Sequence, residues 1–425
     1  MFDIKIIREN PELVKENIKK KFKIDRLKFV DEALVKDKKW RELKGEVDSL
    51  RASRNKISKE IADAKKSGKD VKKLLKEASE IPQKMDELEG KMYSLEEELQ
   101  EILSKIPNIM HESVKIGKSE NENSELNKIG RPKKFDFEVK SHAEIAEKLS
   151  LADFDSSAKT SGNGFYYLQG DLALLNQALI RFVIDKLVQK EFLYVETPLM
   201  LHAEVIKKVT DLNDMKNQIY KIEDEDLYLI GTSEHSMIGR FIDTILAEKS
   251  LPMKFASYSM CFRKEIGSHG IDEKGVYRSH QFNKVEMVVI CKPEESMKFF
   301  KELQSITIEI FKELEIPIRV LGICSGDLGD LKHIQVDIEA WSPRKKDYFE
   351  VGSCSNLTDA QARKLKIRVD SGKGEKYIPH TLNNTAIATS RAMVAILENY
   401  KQKDGSVKIP EVLLPYMHGK KVLGK

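Results

Sequence analysis

Two runs of apolar residues with heptad spacing constrain the fold of the first hundred residues more than any other feature. Their heptad positions are Trp40, Leu43, Val47, Leu50, Ile57 and Ile61 before Ser67-Gly68, and Ala78, Ile81, Met85, Leu88, Met92, Leu95, Leu99 and Ile102 after it. A 3.5-residue period keeps one narrow stripe facing a partner helix, and a short turn makes that partner the chain's own continuation. We therefore predict an antiparallel helical hairpin of residues 30–66 and 69–105, each arm on the order of 50 Å long. Pro82 lies inside the second run and cannot donate a backbone hydrogen bond, so we expect a kink there.

Charge is segregated along this predicted hairpin. Residues 51–76 carry ten Lys and Arg against three Asp and Glu, a local charge of +7, whereas residues 77–101 carry two lysines against nine acids, a local charge of −7. The fold-back places the basic block in the far half of the hairpin, and a basic end on a rod suits a polyanion such as a nucleic acid. A solvated coiled-coil surface is the alternative interpretation. The candidate nucleic-acid contacts are Arg51, Arg54, Lys65, Lys66, Lys69, Lys72 and Lys73.

Beyond the hairpin the pattern changes to a polar linker, predicted for residues 111–134, and then to many strands with few helices. The predicted strands are Phe192–Val195, Lys254–Arg263, Val276–Ile290, Pro317–Cys324, His333–Trp341 and Tyr348–Ser353, and the predicted helices are Leu172–Lys190, Pro293–Glu315 and Thr385–Tyr400. This arrangement favours an antiparallel α+β domain over a doubly wound parallel one. Neither a GxGxxG pattern nor a P-loop pattern occurs, which argues against a Rossmann or P-loop nucleotide site.

The composition excludes several classes of protein. No apolar run approaches the roughly 18 to 20 residues that a membrane span needs, and the first residues lack the apolar stretch of a secretory signal. The cysteines Cys261, Cys291, Cys324 and Cys354 form neither a CxxC pair nor a dense disulfide framework. We therefore expect a cytoplasmic enzyme without membrane contact.

One predicted strand presents an unusual row of side chains. Because side chains alternate along a strand, His280, Phe282, Lys284 and Glu286 share one face, and Val285, Met287 and Val289 fill the other as a core face should. Arg263 and Glu265 share a face at the end of the preceding strand. An aromatic ring, a cation and an acid in one row can bind a base, a phosphate and an amine or hydroxyl. The alternative is an exposed sheet face with cross-strand ion pairs. The polar loop 266–276 is predicted either to close over a substrate or to be plain surface.

Several segments resemble the seryl branch of the class II aminoacyl-tRNA synthetases, and they follow one another along the chain in the order that the family shows. Phe262-Arg263-Lys264-Glu265, a loop and Tyr277–Glu286 resemble motif 2, Asn383–Arg391 resembles motif 3, and 172–198 resembles motif 1, the dimer element. Gly231–Glu234 resembles the seryl TxE segment, and Glu350–Asn356 resembles the segment that meets ATP and metal. The segments Ile7–Pro11 and Ile106–Asn108 and the hairpin match as well, although Asn384 stands where many relatives have glycine. The resemblance covers nearly the whole chain, and the ordered set is far more specific than any one motif.

The resemblance implies a set of ligands and residue roles. It places ATP at Arg263, Lys264, Glu265, Ser279, Phe282, Glu350, Val351, Gly352, Ser353 and Arg391, serine at Thr232, Ser233, Glu234, Arg263, Glu286 and Thr385, and Mg²⁺ at Glu350 and Ser353. Arg263 would hold the α-phosphate and Arg391 the γ-phosphate. Phe282 would stack on the adenine, and Glu286 would accept a hydrogen bond from the serine hydroxyl.

The resemblance also implies partners and a division of labour. The expected activity is formation of seryl-adenylate and transfer of serine to tRNA(Ser) by a homodimer, and it stays open whether tRNA(Sec) is charged too. The predicted domains are a tRNA-binding coiled-coil arm (1–110), a linker (111–134) and an antiparallel class II catalytic domain (135–425). Two alternatives remain at this point, a relative that delivers the amino acid to a carrier protein and a non-catalytic coiled-coil scaffold. The basic arm end argues against the first, and the retained charged site residues argue against the second.

Overall fold

The structure, a computed structural model, describes residues 2–210, 218–265 and 275–424. The chain divides into two compact units, Met1–Ile109 and Met110–Lys425, each of which is described by itself. The predicted loop 266–276 therefore lies outside the described residues except for its last two positions.

The first unit contains the predicted helical hairpin. Its helices are α1 (Ile4–Glu9), α2 (Pro11–Lys20), α3 (Leu27–Lys66) and α4 (Lys72–Lys105). All the predicted apolar heptad positions of α3 and α4 are buried or half-buried, whereas polar Arg54 in the same register is exposed. The turn between the two helices includes Gly68 at φ +67, and Asp70 accepts a hydrogen bond from the backbone of Lys72 (2.9 Å), where α4 begins. The hairpin prediction is confirmed, with α4 starting three residues later than expected.

The segment before the hairpin folds for local reasons that the sequence shows. The Asn10 side chain accepts a hydrogen bond from the backbone of Leu13 (3.0 Å), and Pro11 occupies the first position of α2. Asparagine before a helix and proline at its first residue both favour a helix start. Ile7, Val14 and Ile18 are buried in an apolar cluster together with residues of α3 and α4. This cluster holds α1 and α2 to the open end of the hairpin.

Pro82 lies within α4, and the helix continues through it. The residue is exposed, so its ring faces solvent rather than α3. The missing N–H removes one backbone hydrogen bond but does not end the helix. The kink expected at this point stays a prediction.

The second unit is an α+β domain. Its helices are α5 (His142–Lys148), α6 (Phe154–Thr160), α7 (Gly170–Gln189), α8 (Ala203–Val209), α9 (Ser233–Gly239), α10 (Ser296–Glu313), α11 (Ala360–Lys364) and α12 (Thr389–Asn399). Its strands are β1 (Ser124–Ile129), β2 (Ala152–Asp153), β3 (Tyr167–Leu168), β4 (Leu193–Tyr194), β5 (Met200–His202), β6 (Leu227–Leu229), β7 (Ile245–Ala247), β8 (Met253–Phe262), β9 (Gln281–Cys291), β10 (Ile318–Gly322), β11 (Ile334–Ser342), β12 (Asp347–Thr358), β13 (Arg368–Asp370), β14 (Lys376–Tyr377), β15 (His380–Ala388), β16 (Val407–Lys408) and β17 (Val422–Leu423). None of the described helices is both long and apolar enough to cross a membrane.

An eight-stranded sheet organises this unit, in the order β1-β10-β11-β12-β15-β9-β8-β4. Every neighbouring pair is antiparallel except β4 with β8 at one edge. Residues of α7, α10 and α12 join Val285, Met287 and Val289 of β9 in the main apolar core. The helices therefore cover one face of the central strands, and the alternate residues of β9 point to the other face. The predicted antiparallel α+β class is confirmed.

Three sequence-based assignments differ from the structure. The strand predicted to begin at Val276 begins at Gln281 instead. Residues 124–129, inside the predicted linker, form the edge strand β1, which pairs with β10 between Ser124 and Gly322 and between Ile129 and Ile318. An edge strand is mostly exposed, so its polar sequence carries little burial signal. Thr385 lies on a strand rather than in the predicted helix, because β15 ends at Ala388 and α12 begins at Thr389. Residues 385–388 are all buried, and a short strand buried on both faces cannot be told from a helix by periodicity.

Candidate active site

A cavity of about 520 Å³ lies on the face of the sheet that bears the polar side chains of β9. It brings together residues from strands β9, β11, β12 and β15, from helices α8, α9 and α12, and from the segment that follows β8. The predicted site residues that line it are Thr232, Glu234, Arg263, Glu265, Ser279, Phe282, Glu286, Glu350, Val351, Gly352, Ser353, Thr385 and Arg391. Of the predicted row His280, Phe282, Lys284 and Glu286, the last three lie on β9 and line the cavity, whereas His280 precedes β9 and does not line it.

Arg263 and Phe282 form one end of the cavity. The antiparallel register of β8 and β9 pairs Phe262 with Gln281, so Arg263 emerges beside the start of β9. The Arg263 guanidinium carbon lies 5.5 Å from the centre of the Phe282 ring, and its Nε donates to the Gly231 carbonyl (3.2 Å). A cation is thus held over an aromatic face at the entrance of β9, where a phosphate and a flat base can bind side by side.

Arg391 and Glu350 form a second charged centre. Arg391 Nη1 lies 3.1 Å from Glu350 Oε2 and also donates to the Glu350 carbonyl (3.1 Å). Burial opposes charge on both groups, but their mutual attraction holds the pKa of Glu350 below and that of Arg391 above its usual value. Both groups therefore stay ionised. The Tyr277 ring centre lies 5.4 Å from the Arg391 guanidinium carbon, so the ring supports the cation on another side.

Two buried carboxylates line the cavity beside β9 and α9. Glu286 pairs with Lys284 (2.6 Å) and accepts a hydrogen bond from the Thr385 hydroxyl (3.3 Å). Glu234 accepts a hydrogen bond from Gln361 (2.9 Å), and burial and then the charge of Glu286 raise the pKa of Glu234. The Thr232 side chain caps α9 by accepting from the Glu234 backbone (3.3 Å). Two acids held close together, one with a raised pKa, would favour a ligand that brings a positive charge.

Hard oxygen donors from β11 and β12 line the part of the cavity next to Arg391. The strand register places Asp337 opposite Ser353, and Gln335 donates both to the Asp337 carboxylate (2.7 Å) and to the Ser353 hydroxyl (2.9 Å). Burial and then the charge of Glu350 raise the pKa of Asp337 to about 6. Among the described residues no three His, Cys, Asp or Glu side chains form a group that holds a metal ion by itself. The donor set of Glu350 and Ser353 suits Mg²⁺, which is usually bound by one or two carboxylates together with phosphate oxygens.

Comparisons with known proteins agree with this geometry. A model of the seryl-tRNA synthetase N-terminal domain matches residues 1–110, and a model of the tRNA synthetase class II core domain (G, H, P, S and T) matches residues 220–400. A protein of Methanospirillum hungatei JF-1 named serine–tRNA ligase is 47% identical over 425 residues, which is 100% of both chains. The chain belongs to the seryl-tRNA synthetase family. The resemblance drawn from its motifs is thereby confirmed.

Solved structures extend the family match to the whole fold. The seryl-tRNA synthetase of Pyrococcus horikoshii, solved in complex with ATP, superposes with a TM-score of 0.92 at 43% identity, covering 100% of this chain and 99% of that one. The cytoplasmic serine–tRNA ligase of Naegleria fowleri, solved in complex with AMP, superposes with a TM-score of 0.87 at 34% identity, covering 100% and 98%.

Two residues that the seryl-tRNA synthetase resemblance assigned to ligands do not line the cavity. The Ser233 side chain is buried and donates to the Ser257 carbonyl (3.3 Å). The Lys264 ammonium lies 5.9 Å from the centre of the Tyr220 ring, and the Lys264 backbone donates to the Gln218 carbonyl (2.8 Å). Both residues lie next to lining residues, so they support the site from behind rather than face its interior.

Asn384, which stands where many members of the seryl-tRNA synthetase family have glycine, does not enter the cavity. Its side-chain nitrogen donates to the Leu303 carbonyl (2.7 Å) and the Thr307 hydroxyl (2.9 Å) of α10. Its neighbours Asn383 and Thr385 line the cavity instead. The asparagine therefore bonds to the helix behind the sheet and leaves the pocket unobstructed.

Motif comparison with the seryl-tRNA synthetases gave no role to several lining residues. Lys284 neutralises Glu286, and Gln335 and Asp337 lie beside Ser353. Alternation along a strand provides a signal for these residues: Gln335, Asp337 and Glu339 alternate with Val336, Ile338 and Ala340 in β11, as Lys284 and Glu286 alternate with apolar residues in β9. Polar residues at every second position of a central strand indicate a lined cavity rather than core.

The basic residues of the hairpin end belong to the first unit. All seven candidate contacts are exposed. Arg51 is also paired with Glu89 (2.7 Å) and Asp48 (3.6 Å), which places it level with the acidic block of α4. Arg51 is therefore the weakest of the seven candidates, while Lys65, Lys66, Lys69, Lys72 and Lys73 surround the turn.

Proposed function

We propose that the chain is a cytoplasmic serine–tRNA ligase, which activates L-serine with ATP and transfers it to the 3′ end of tRNA(Ser). The observation that carries this proposal is the convergence of Arg263, Phe282, Arg391 and the acids Glu234, Glu286 and Glu350 on one cavity. Full-length relatives named serine–tRNA ligase support the reaction, and relatives solved with ATP or AMP support a nucleotide in this cavity.

ATP would occupy the side of the cavity between Phe282 and Arg391. The Phe282 ring offers a stacking surface for adenine, and Arg263 above it is placed for the α-phosphate. Glu265 and the backbone near Ser279 would read the edge of the base. Arg391 would bind the γ-phosphate, and its ion pair with Glu350 keeps the guanidinium oriented when the site is empty. Planar guanidinium groups suit this task because they bind phosphate oxygens in pairs.

Glu350 and Ser353 would hold Mg²⁺, with Val351 and Gly352 in the same lining segment. The ion, when bound, supplies positive charge to the phosphates as the reaction proceeds. Gln335 orients the Ser353 hydroxyl by donating to it, which leaves an oxygen lone pair available for a cation.

Serine would occupy the side of the cavity lined by Thr232, Glu234, Glu286 and Thr385. Its ammonium group would pair with Glu234, whose raised pKa reflects a buried acid that gains from an added cation. Its hydroxyl would donate to Glu286, a site that alanine leaves unsatisfied. The pair with Lys284 fixes the Glu286 carboxylate, so the acceptor is oriented before serine arrives.

The first step needs no covalent catalyst. A serine carboxylate oxygen attacks the α-phosphorus, the bond to the bridging oxygen breaks, and pyrophosphate leaves with the electron pair. Arg263 stabilises the charge that grows on the α-phosphate, and Arg391 stabilises the leaving pyrophosphate. The 3′-terminal ribose hydroxyl of the tRNA then attacks the carbonyl carbon of seryl-adenylate, and AMP leaves.

The hairpin would select the tRNA. We assign residues 1–110 to tRNA binding and 135–425 to catalysis, with 111–134 as the connection that also contributes β1. The exposed lysines around the turn suit the phosphate backbone of an extended RNA arm, where shape and charge rather than base edges are recognised.

A homodimer is supported by apolar side chains exposed on the second unit. They include Leu174 and Val188 of α7, Leu193 of β4, Met200 of β5 and Met260 of β8. These elements contain or adjoin the segment that resembles motif 1, and β4 is an edge strand of the large sheet. Light scattering on the purified protein is expected to give twice the monomer mass, and a monomer at micromolar concentration would contradict this part of the proposal.

Pyrophosphate exchange with each amino acid, followed by charging of total tRNA, tests the activity. We expect exchange with serine alone and loss of exchange in Arg263→Ala. A variant with Lys65, Lys66, Lys69, Lys72 and Lys73 changed to Gln is expected to keep exchange and to lose charging. Exchange that does not depend on serine would refute the proposal. Robust exchange without tRNA charging in the parent protein would instead indicate a carrier other than tRNA.

A further inference from the structure

His142, at the start of α5, is buried against the chain segment that leads into β9. Its Nε2 accepts a hydrogen bond from the Val276 backbone (3.2 Å). The neighbouring Gly275 has φ +132, and a Cβ atom there would lie 2.2 Å from the same nitrogen. Only glycine permits so close an approach of backbone to ring. The histidine and the glycine therefore fix the backbone position from which Val276 and Tyr277 continue.

The other nitrogen of the ring faces a carboxylate. Since Nε2 accepts a hydrogen bond, the ring proton belongs on Nδ1, which lies 3.9 Å from Glu398 Oε1. Glu398 is buried, accepts a hydrogen bond from Ser342 and lies 3.4 Å from Arg344 Nε. The carboxylate thus favours the tautomer that the contact with Val276 requires. Glu398 also belongs to α12, the helix whose first turn carries Arg391.

The residue after Val276 contacts the arginine assigned to the γ-phosphate. The Tyr277 ring centre lies 5.4 Å from the Arg391 guanidinium carbon and packs edge-on against Phe349 at a centroid distance of 5.5 Å. His142 is therefore connected to Arg391 through the Val276 backbone and the Tyr277 ring. Glu398 faces Nδ1 at 3.9 Å, beyond hydrogen-bond distance, so its charge favours the ring tautomer but does not form a second route.

We infer that His142 is a positioning residue for nucleotide binding, which sets the Tyr277 ring beneath Arg391 by holding the Val276 backbone. The inference rests on the proposed function, because it takes Arg391 as a phosphate ligand. His142 does not line the cavity, so it acts on ATP through Tyr277 and Arg391 rather than by contact. The residues proposed for serine lie on other elements, β9, β15 and α9, and none of them is hydrogen-bonded to His142, Val276 or Tyr277 in the contacts given above.

The test compares variants at position 142 in serine-dependent pyrophosphate exchange. Glutamine reaches as far as Nε2 and its carbonyl can accept the Val276 hydrogen bond, whereas asparagine is one bond too short. We expect His142→Asn to raise KM for ATP about tenfold, because the Val276 N–H loses its acceptor and the Tyr277 ring is no longer held beneath Arg391. His142→Gln is expected to restore most of that loss, and KM for serine should stay within about twofold in both variants.

A matched control separates positioning from general stability. His380 is half-buried and its Nδ1 hydrogen-bonds a side chain, the Ser296 hydroxyl (3.0 Å), but it does not line the cavity. His380→Leu, which removes this hydrogen bond, should lower the melting temperature without raising KM for ATP. Calorimetric titration of each variant with ATP gives the same comparison without turnover, so it is independent of charging activity.

A double-mutant cycle with Tyr277→Leu tests the route. If His142 acts through the ring, His142→Asn in a Tyr277→Leu background should raise KM for ATP by less than about twofold. Additive effects, an asparagine variant with unchanged KM for ATP, or a glutamine variant as impaired as asparagine would each overturn the inference. A parent enzyme that shows no serine-dependent exchange would instead refute the proposed function itself.

Discussion

Removal of the Lys284 ammonium is expected to destabilise the second unit strongly. The side chains of Lys284 and Glu286 are 9% and 2% exposed, and they form an ion pair of 2.6 Å. In Lys284→Met the Glu286 carboxylate keeps only the Thr385 hydroxyl at 3.3 Å among the partners described here. Loss of one member of a buried pair leaves an uncompensated charge, so we expect the free energy of unfolding to fall by about 3–5 kcal/mol.

Fluorescence can follow this unit alone. The chain has two tryptophans, Trp40 in the first unit and Trp341 in the second. In a Trp40→Phe background, urea unfolding monitored at Trp341 therefore reports the unit that contains the ion pair. The slope with denaturant should match that of the parent, because the surface exposed on unfolding is unchanged.

The double variant Lys284→Met/Glu286→Gln provides the control. This variant removes the buried charge together with its partner. Its free energy of unfolding should therefore lie within about 1–2 kcal/mol of the parent value. The reasoning is refuted if the free energy of unfolding of the single variant lies within about 1 kcal/mol of the parent value, or if that of the double variant is as low as that of the single one.

Three further outcomes follow from the described contacts. Burial and then the charge of Glu286 raise the pKa of Glu234, so this acid gains a proton at a higher pH than an ordinary glutamate. The KM for serine in pyrophosphate exchange should therefore rise as the pH falls toward that raised pKa. Glu234→Gln should flatten this pH profile. Charging should weaken with salt more steeply than exchange, by a logarithmic slope of about −0.7 per phosphate contact, and equal slopes would count against the hairpin as the tRNA contact. Asp37 is 1% exposed and binds Arg8 (2.7 Å) and Arg41 (3.0 Å), whose side chains are 33% and 53% exposed. Because solvent can still stabilise both arginines, Asp37→Asn should destabilise the first unit by about 1–2 kcal/mol in urea unfolding monitored at Trp40 in a Trp341→Phe background. An unchanged midpoint would show that these ion pairs are dispensable.

The helical hairpin was the part of the fold most accessible from sequence. A heptad pattern depends only on which residues face a partner, and positions such as Val47, Met85 and Leu99 are buried accordingly. The end of β15 was harder, because residues 385–388 are buried on both faces and carry no alternation. Strand β1 was missed for the opposite reason, since an exposed edge strand is held by backbone hydrogen bonds that side-chain composition does not report.

The sequence predicted the residues that are placed to contact ligands better than the residues that contact and support them. Family resemblance identified Arg263, Phe282 and Arg391, all of which line the cavity. It gave no role to Lys284, which only strand alternation placed in the same row as Glu286, and it did not identify His142. The contact of His142 with the Val276 backbone depends on the approach of distant segments, which one sequence without a structure does not specify.

Two acids of the cavity, Glu350 and Glu234, have different electrostatic surroundings, and the difference follows the two halves of the proposed reaction. Glu350 lies against Arg391, which holds its pKa down and keeps it charged before any ligand binds. Glu234 is buried near another acid, Glu286, and both burial and that charge raise its pKa, although the hydrogen bond from the Gln361 amide partly offsets them. A charged Glu350 suits a site that must orient a guanidinium toward phosphates at all times. Lys284 on that side is paired with Glu286, whereas Glu234 forms no ion pair within the described part of the chain. Glu234 therefore suits a substrate that brings a positive charge, as the ammonium of an amino acid does.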